Sequence, residues 1–527
     1  MACTTPIAAR GRLLRFHRRA SAVALVLSAA FGVPTTAVAQ ETIAEQVEAW
    51  YRAAQRSAPG DWGIAIADLQ GNTLWERRAS EMFIPASTVK LFTTGFARSV
   101  LGGGARRETR VLGAGRLEPA TGTWLGAWAL EVNGDPSLGR RDGRGASLDE
   151  LAHQLAVSGV ERLVGPLHLV ERDGGEPHAL WPEAWASRHR GRLFAPLVGP
   201  LTYHENVVAF SVRPGARSGK RAVLSTASPS GLDRLVRVEA RTVQGRRSRL
   251  TLRHDGRGGW IVGGTIGSRA RTRWFSATAY DPRAVLEASW ATALAHAGIT
   301  WDRNAAPAAS SLDVGSALVL GRVASPTLDS LATDVNRRSH NLGAELLLQW
   351  AAGRDRPADQ LAEHVRLVTG PGHAVHLVDG SGLSSEDRVA PSTFIAYLAN
   401  VSSRAGADFS QLLPANGTGT LRKLRAGLPE RGVVRAKTGT LANVSSVVGY
   451  LGRPDGVLLV SLMYNGRRTH QARSEQWRLF RVLGADGVAV PDAFDAPVTD
   501  LGGPDPVTGA EPPEAPVHDE AEPAPGS

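Results

Sequence analysis

Only four of this chain's 60 Lys and Arg side chains are lysines, and two of the four lie in short motifs far apart in the sequence. Lys90 closes Ser87-Thr88-Val89-Lys90, and Lys437 opens Lys437-Thr438-Gly439; the others are Lys220 and Lys423. A sequence this rich in arginine places a guanidinium wherever a surface cation will do. A retained lysine points to something a guanidinium cannot do, such as losing its proton when buried. Ser339-His340-Asn341 lies between the two motifs, 252 residues after Ser87. As corners of one set, these segments ask for a fold that gathers distant parts of the chain.

On a helix, positions i and i+3 share a face, so Ser87 and Lys90 set a hydroxyl beside an amine. Serine attacks a carbonyl poorly without a base, and a partly desolvated neutral lysine can supply one. A helix N-terminus also directs N–H groups at developing negative charge. Alone the motif says little, because one of four lysines has a serine three residues earlier about a quarter of the time. Lys437-Thr438-Gly439 is sharper, at roughly a few per cent by chance, and it falls on a predicted strand. An edge strand pairs with an extended peptide, Gly439 leaves room for close backbone approach, and the Lys437 ammonium can draw in a carboxylate. Ser339 and Asn341 alone read equally well as a helix N-cap before Leu342, Leu346, Leu347 and Trp350.

Periodicity predicts a helix from Glu41 to Gln55, then a β-hairpin of Trp62–Asp68 and Thr73–Glu76 around Gln70-Gly71-Asn72. A second helix is expected from about Ser87 through Phe92 and Phe96 to the glycines at 102–104. Between 105 and 280 short strand-like runs such as Leu163–Leu169, Val207–Val212 and Ser248–Arg253 alternate with Gly, Pro and Arg-rich turns. Helical texture returns at Pro282–His296 and Leu328–Ala351. Three strand candidates follow, Val433–Leu441, Ser446–Leu451 and Val457–Asn465, the last two joined by the turn Arg453-Pro454-Asp455-Gly456. Thr469–Leu483 reads as a helix covering them. The expectation is an α+β protein: an antiparallel sheet flanked by helices (residues 40–104 and 281–490), interrupted by a mostly β insertion (105–280) of one or two domains.

Both ends read differently. Arg10, Arg12, Arg15, Arg18 and Arg19 precede an apolar stretch, Ala20–Val33, too short for a comfortable membrane span. Ala37-Val38-Ala39 offers a cleavage site, so residues 1–39 read as an export signal. No later segment reads as a transmembrane helix. Residues 491–527 hold nine acidic residues, nine prolines and no Lys or Arg, which predicts a disordered tail. Cys3 is the only cysteine and lies in the signal, so an exported chain would have no disulfide, thiolate ligand or cysteine nucleophile. The net charge of +10 suits simple solubility or proximity to anionic envelope polymers. No basic-aromatic module argues for nucleic acid. His373, His376 and Asp379 lack a metal-ligand pattern such as H-E-x-x-H and read as structural or surface groups. His204-Glu205-Asn206 sits in the insertion without a serine partner nearby in sequence.

Taken together, the motifs resemble those of the class C low-molecular-mass penicillin-binding proteins, the D-alanyl-D-alanine carboxypeptidase/endopeptidases. Phe83–Leu91 is similar to that family's nucleophile segment and Asn133-Gly134-Asp135-Pro136-Ser137-Leu138 to its G-D-P-[ST]-L element. Asn336–Glu345, Asp379–Ser384, Gly419-Thr420-Leu421 and Ala436–Leu441 match in order, so the resemblance spans about 45–465. It implies a penicillin-recognising, β-lactamase-like domain with large insertions. It also implies Ser87 as nucleophile, Lys90 as its base, Ser339 as proton relay to the leaving amine and Asn341 as a holder of the substrate amide. Lys437 would steady the electrostatics and help bind a carboxylate, alongside Thr438, Gly439 and Thr440. The backbone N–H groups of Ser87 and Thr440 would form the oxyanion hole. No metal or other cofactor is implied. The partners would be peptidoglycan stem peptides and β-lactam antibiotics, met outside the cytoplasm by a soluble or loosely envelope-associated protein.

Two other readings compete. A β-lactamase or esterase on the same fold is disfavoured by Ser-x-Asn in place of Tyr-x-Asn and by the long insertion. A non-catalytic envelope-binding protein is disfavoured by three intact motifs.

Overall fold

The computed structural model describes residues 41–305, 312–404 and 406–494. The expected signal and most of the expected tail lie outside them. Of the tail, Phe494 is described; it is buried and packs on Tyr450, ring centroids 5.6 Å apart.

A five-stranded antiparallel sheet forms the centre. Its strands are β1 (Asp61–Asp68), β2 (Thr73–Arg77), β3 (Val434–Leu441), β4 (Val444–Arg453) and β5 (Gly456–Asn465), in spatial order β3-β4-β5-β1-β2. The interior strands are buried on both faces, which explains their near-continuous apolar runs. Ile64, Ile66, Leu458, Val460 and Leu462 turn to one face, while Ala65, Ala67, Leu459 and Met463 turn to the other. Helices α1 (Ile43–Ser57) and α7 (Thr469–Leu483) cover the first face. There Trp50 meets Trp62 edge-on at 5.6 Å, and Trp62 Nε1 donates to the Ala58 carbonyl at 2.9 Å.

The second face carries α2 (Lys90–Leu101), α3 (Leu328–Arg338), α4 (Asn341–Ala352), α5 (Pro357–Thr369) and α6 (Pro391–Ser402). Helix α2 runs through the middle of this layer, with Lys90 to Ala97 all buried, as expected of a helix enclosed on every side. Phe92 stacks on Phe394 at 4.6 Å. Gly95 lacks a Cβ where the Tyr397 hydroxyl passes.

A second hydrophobic core gathers the inserted strands with two helices, Leu148–Val157 and Pro282–His296. Its largest sheet takes Thr300–Asp302 and Leu318–Ala324 as well as strands from the 105–280 block. The far boundary of the insertion therefore moves from 280 to about 324, and the first core resumes at Leu328. Helix Pro282–His296 was expected in the peptidase part; its buried Trp290 and Leu294 instead belong to the second core. Among the described residues no helix is long and apolar enough to cross a membrane.

Candidate active site

Ser87 lies in a single 3-10 turn, Ala86–Val89, directly ahead of α2, whose first residue is Lys90. Sequence periodicity placed it on the helix itself. The difference favours the pairing, because three residues per turn eclipse i and i+3. Lys90 Nζ donates to Ser87 Oγ at 3.1 Å. Ala86 holds φ at +50°, a sparsely populated region for a residue with a Cβ. Two glycines let other segments close on this turn. A Cβ on Gly382 would overlap the Ala86 carbonyl, and one on Gly439 would sit 2.5 Å from the Pro85 carbonyl oxygen. Ser446 on β4 donates to that same oxygen at 2.5 Å. The turn carrying Ser87 is thus pinned against the strand carrying Lys437.

Lys90 is fully buried. Besides Ser87 it donates to Asn341 Oδ1 at 2.7 Å and to the Ser381 carbonyl. Burial pulls its amine down to about 8, partly opposed by Asp379, Glu345 and Asp387. These three buried carboxyls escaped sequence reasoning as site residues. Asp379 accepts the N–H groups of Ser381, Gly382, Leu383 and Ser384 at 2.6 to 3.1 Å, so it shapes the loop that carries the Ser381 carbonyl. Glu345 is pushed up to about 8 by burial and then by Asp379. Asp387 is likewise raised, first by burial and then by Asp379. The sequence signals were the runs Asn336–Glu345 and Asp379–Ser384, which hold Glu345 and Asp379 but not Asp387.

Neither Ser339 nor Asn341 provides a side-chain N-cap for α4; Ser339 instead ends α3. Helical periodicity runs unbroken from Leu328 to Ala351, yet the chain breaks at Ser339, which ends α3 with φ +58°. His340 precedes α4 without a side-chain capping bond. Both polar side chains are released into the site by this break. Asn341 donates through Nδ2 to the Phe194 carbonyl at 2.9 Å, so both ends of its amide are engaged. Lys437 Nζ donates to Ser339 Oγ at 2.9 Å and to the Thr438 carbonyl at 2.7 Å. Burial, then Lys90 and Arg473, holds the Lys437 amine well below its ordinary value.

The inserted segment braces Ser339 from both sides. Glu205 pairs with Arg338 and lies 3.8 Å from His340 Nε2. His204, Glu205 and Asn206 all hold positive φ, a strained path that carries Glu205 to this position. Nothing in the sequence signalled the contact. Glu205, Asp334 and His340 offer ligand atoms within 4.8 Å of one another. Arg140 and Arg338 already neutralise both carboxylates, so the cluster is an ion-pair network in which burial keeps His340 down to about 4. His204 bonds the Gly139 carbonyl at 2.5 Å and Ser228 at 3.2 Å, a structural role. His376 is exposed and His373 half-buried.

Strand β3 is the sheet's edge. Its first part is capped by Ala415 and Asn416, the latter donating its N–H to the Val434 carbonyl at 2.9 Å. From Lys437 onward no strand among the described residues pairs its outer side. Thr438 and Thr440 share one face of the strand and line a cleft of about 840 Å³. Arg473 of α7 donates there to the Gly439 carbonyl at 2.7 Å and to Thr440 Oγ1 at 3.3 Å.

The chain is 28% identical over 424 residues to a D-alanyl-D-alanine carboxypeptidase of an Actinomadura species, covering 77% of each chain. It is 27% identical over 409 residues to a carboxypeptidase of Mycobacterium tuberculosis, covering 74% of this chain and 73% of that one. Its fold matches penicillin binding protein 4 of Haemophilus influenzae with a TM-score of 0.64 at 20% identity, over 82% of this chain and 98% of the other. The profile of one peptidase family matches residues 45–483, a span holding every residue of the site described above. The chain belongs to the D-Ala-D-Ala carboxypeptidase 3 (S13) family.

Proposed function

We propose that this protein is an extracytoplasmic serine DD-peptidase that hydrolyses D-Ala-D-Ala-type bonds of peptidoglycan stem peptides through an acyl-enzyme on Ser87. The single observation that carries this reading is the hydrogen bond of 3.1 Å between Ser87 Oγ and a lysine amine brought down to about 8. The neutral amine of Lys90 takes the Ser87 proton as Oγ attacks the carbonyl carbon. The N–H groups of Ser87 and Thr440 stabilise the oxyanion, a contribution of roughly 3–4 kcal/mol per donor in acyl transfer. The Lys437–Ser339 pair delivers a proton to the departing amine nitrogen. Water then attacks the ester, its proton restores the Lys437–Ser339 pair, and Lys90 returns to Ser87 Oγ the proton it took. Thr438, Thr440 and Arg473 suit a substrate carboxylate beside the strand edge. Because Asn341 is already bonded to Lys90 and Phe194, its share is to hold Lys90 in place, and any substrate contact requires it to exchange a partner. A β-lactam presents an amide strained by its four-membered ring to Ser87 and becomes a stable acyl adduct.

The test is D-alanine release from an acyl-D-Ala-D-Ala peptide by wild type, Ser87→Ala and Lys90→Arg. Wild type turns over and both variants are inactive. Turnover by Ser87→Ala rejects the reading.

A further inference from the structure

The cleft beside Thr438 and Thr440 carries more charge than one carboxylate requires. Its lining includes Arg337, Arg338, Arg422, Lys423, Arg431 and Arg473, and no Asp or Glu. Arg338 is paired with Glu205 and Asp334. Among the described residues no ion pair engages the other five. Arg337, Arg422, Lys423 and Arg431 are exposed, while Arg473 is half-buried against Thr440. Arg473 Nη1 and Thr420 Oγ1, both in the lining, are buried without a hydrogen-bond partner. Unpaired like charges lining a concave wall raise a strongly positive potential that an anion relieves.

The position of the cleft says which half of a substrate meets it. Arg337 and Arg338 immediately precede Ser339, and Thr438 immediately follows Lys437. The pair that would protonate the leaving amine therefore stands at the cleft's inner edge, and the departing fragment lies in it. A single D-alanine would fill a small part of 840 Å³ and would engage Arg473 and the threonines alone. The four outer cations would face water.

We infer that Arg337, Arg422, Lys423 and Arg431 form a subsite that selects the departing strand by charge, preferring a cross-linked peptide strand with several free carboxylates over a lone D-alanine or an amidated strand. This rests on the serine DD-peptidase reading above. The reaction is unchanged: the acyl C–N bond breaks, Ser87 keeps the acyl group, and the amine nitrogen of the second strand gains the proton. Exposed charges at the edge of a site act on encounter and on strand binding, so the effect falls mainly on KM and weakens with salt.

The experiment uses three synthetic substrates sharing one acyl half. Their leaving groups are D-alanine, a strand with free side carboxylates, and the same strand amidated. The enzymes are wild type and Arg422→Gln/Lys423→Gln/Arg431→Gln. Wild type prefers the anionic strand over the amidated one by about tenfold in kcat/KM at low salt, and the preference collapses between about 0.05 and 0.5 M salt. The triple variant loses the preference. It keeps D-alanine release and benzylpenicillin acylation within about twofold of wild type, as expected when only exposed charges away from the reacting atoms are removed. Equal kcat/KM for the two strands, or a preference that survives in the triple variant, overturns the inference. Variant-sensitive binding of poly(glycerol phosphate) without strand preference also overturns it, in favour of a wall-polymer anchor. Failure of wild type to form a benzylpenicillin adduct overturns the peptidase reading and this inference together; an intact adduct with no strand preference overturns this inference alone.

Discussion

The rate of Ser87 acylation should follow the neutral fraction of Lys90. An unperturbed lysine near 10.5 is neutral in only about three molecules per ten thousand at pH 7. Burial brings Lys90 to about 8, which raises that fraction to about one in ten. Burial therefore raises the share of neutral Lys90 amine roughly 300-fold. With benzylpenicillin below saturation, stopped-flow acylation should rise about tenfold from pH 6 to 7, pass half-maximum near pH 8 and level off above pH 9. The apparent midpoint belongs to Lys90 together with Glu345, since the two groups share one buried site. Lys90→Arg should lower the plateau about a thousandfold and abolish the limb, because a guanidinium cannot accept the proton. A flat profile from pH 6 to 9, or an Lys90→Arg variant that keeps the limb, would refute Lys90 as the base.

Three further outcomes follow from the packing. Gly439→Ala places a methyl group against the Pro85 carbonyl and Ala86; it should cost about 1–3 kcal/mol of stability in urea melts and slow acylation at least tenfold by parting β3 from the turn carrying Ser87. Glu205→Gln removes the brace on Arg338 and His340; kcat for a peptide substrate should fall about 10- to 100-fold with KM and melting temperature little changed. Trp62→Ala empties a site enclosed by Trp50 and Tyr464; it should cost about 3–5 kcal/mol in the same melts while penicillin still labels the folded fraction.

The inner strands of the central sheet were legible as near-continuous apolar runs, and the helices covering it by their helical apolar spacing. Strands β3, β4 and β5 start within two residues of their expected positions, and α7 spans Thr469–Leu483 as read from the sequence. The helix break at Ser339 was not legible. Apolar spacing continues across it, and the left-handed turn is held from outside by Glu205, a residue 134 positions upstream. The same holds for the far edge of the insertion. Pro282–His296 looks like any buried helix, and only the packing of Trp290 and Leu294 among the inserted strands, with the pairing of Leu318–Ala324 beside Glu108–Glu118, shows that this stretch joins the second core. Within the site, the lysines were conspicuous by their rarity. The carboxyls around Lys90 were not, because an isolated Asp or Glu in sequence gives no sign of burial beside an amine.

Peptide mapping by mass spectrometry after brief exposure of the protein to benzylpenicillin, with Ser87→Ala alongside, decides whether Ser87 is the nucleophile. The expected result is one penicilloyl group per chain, located on the peptide containing Ser87, and none on the variant. An adduct on another residue, or equal labelling of Ser87→Ala, would contradict it.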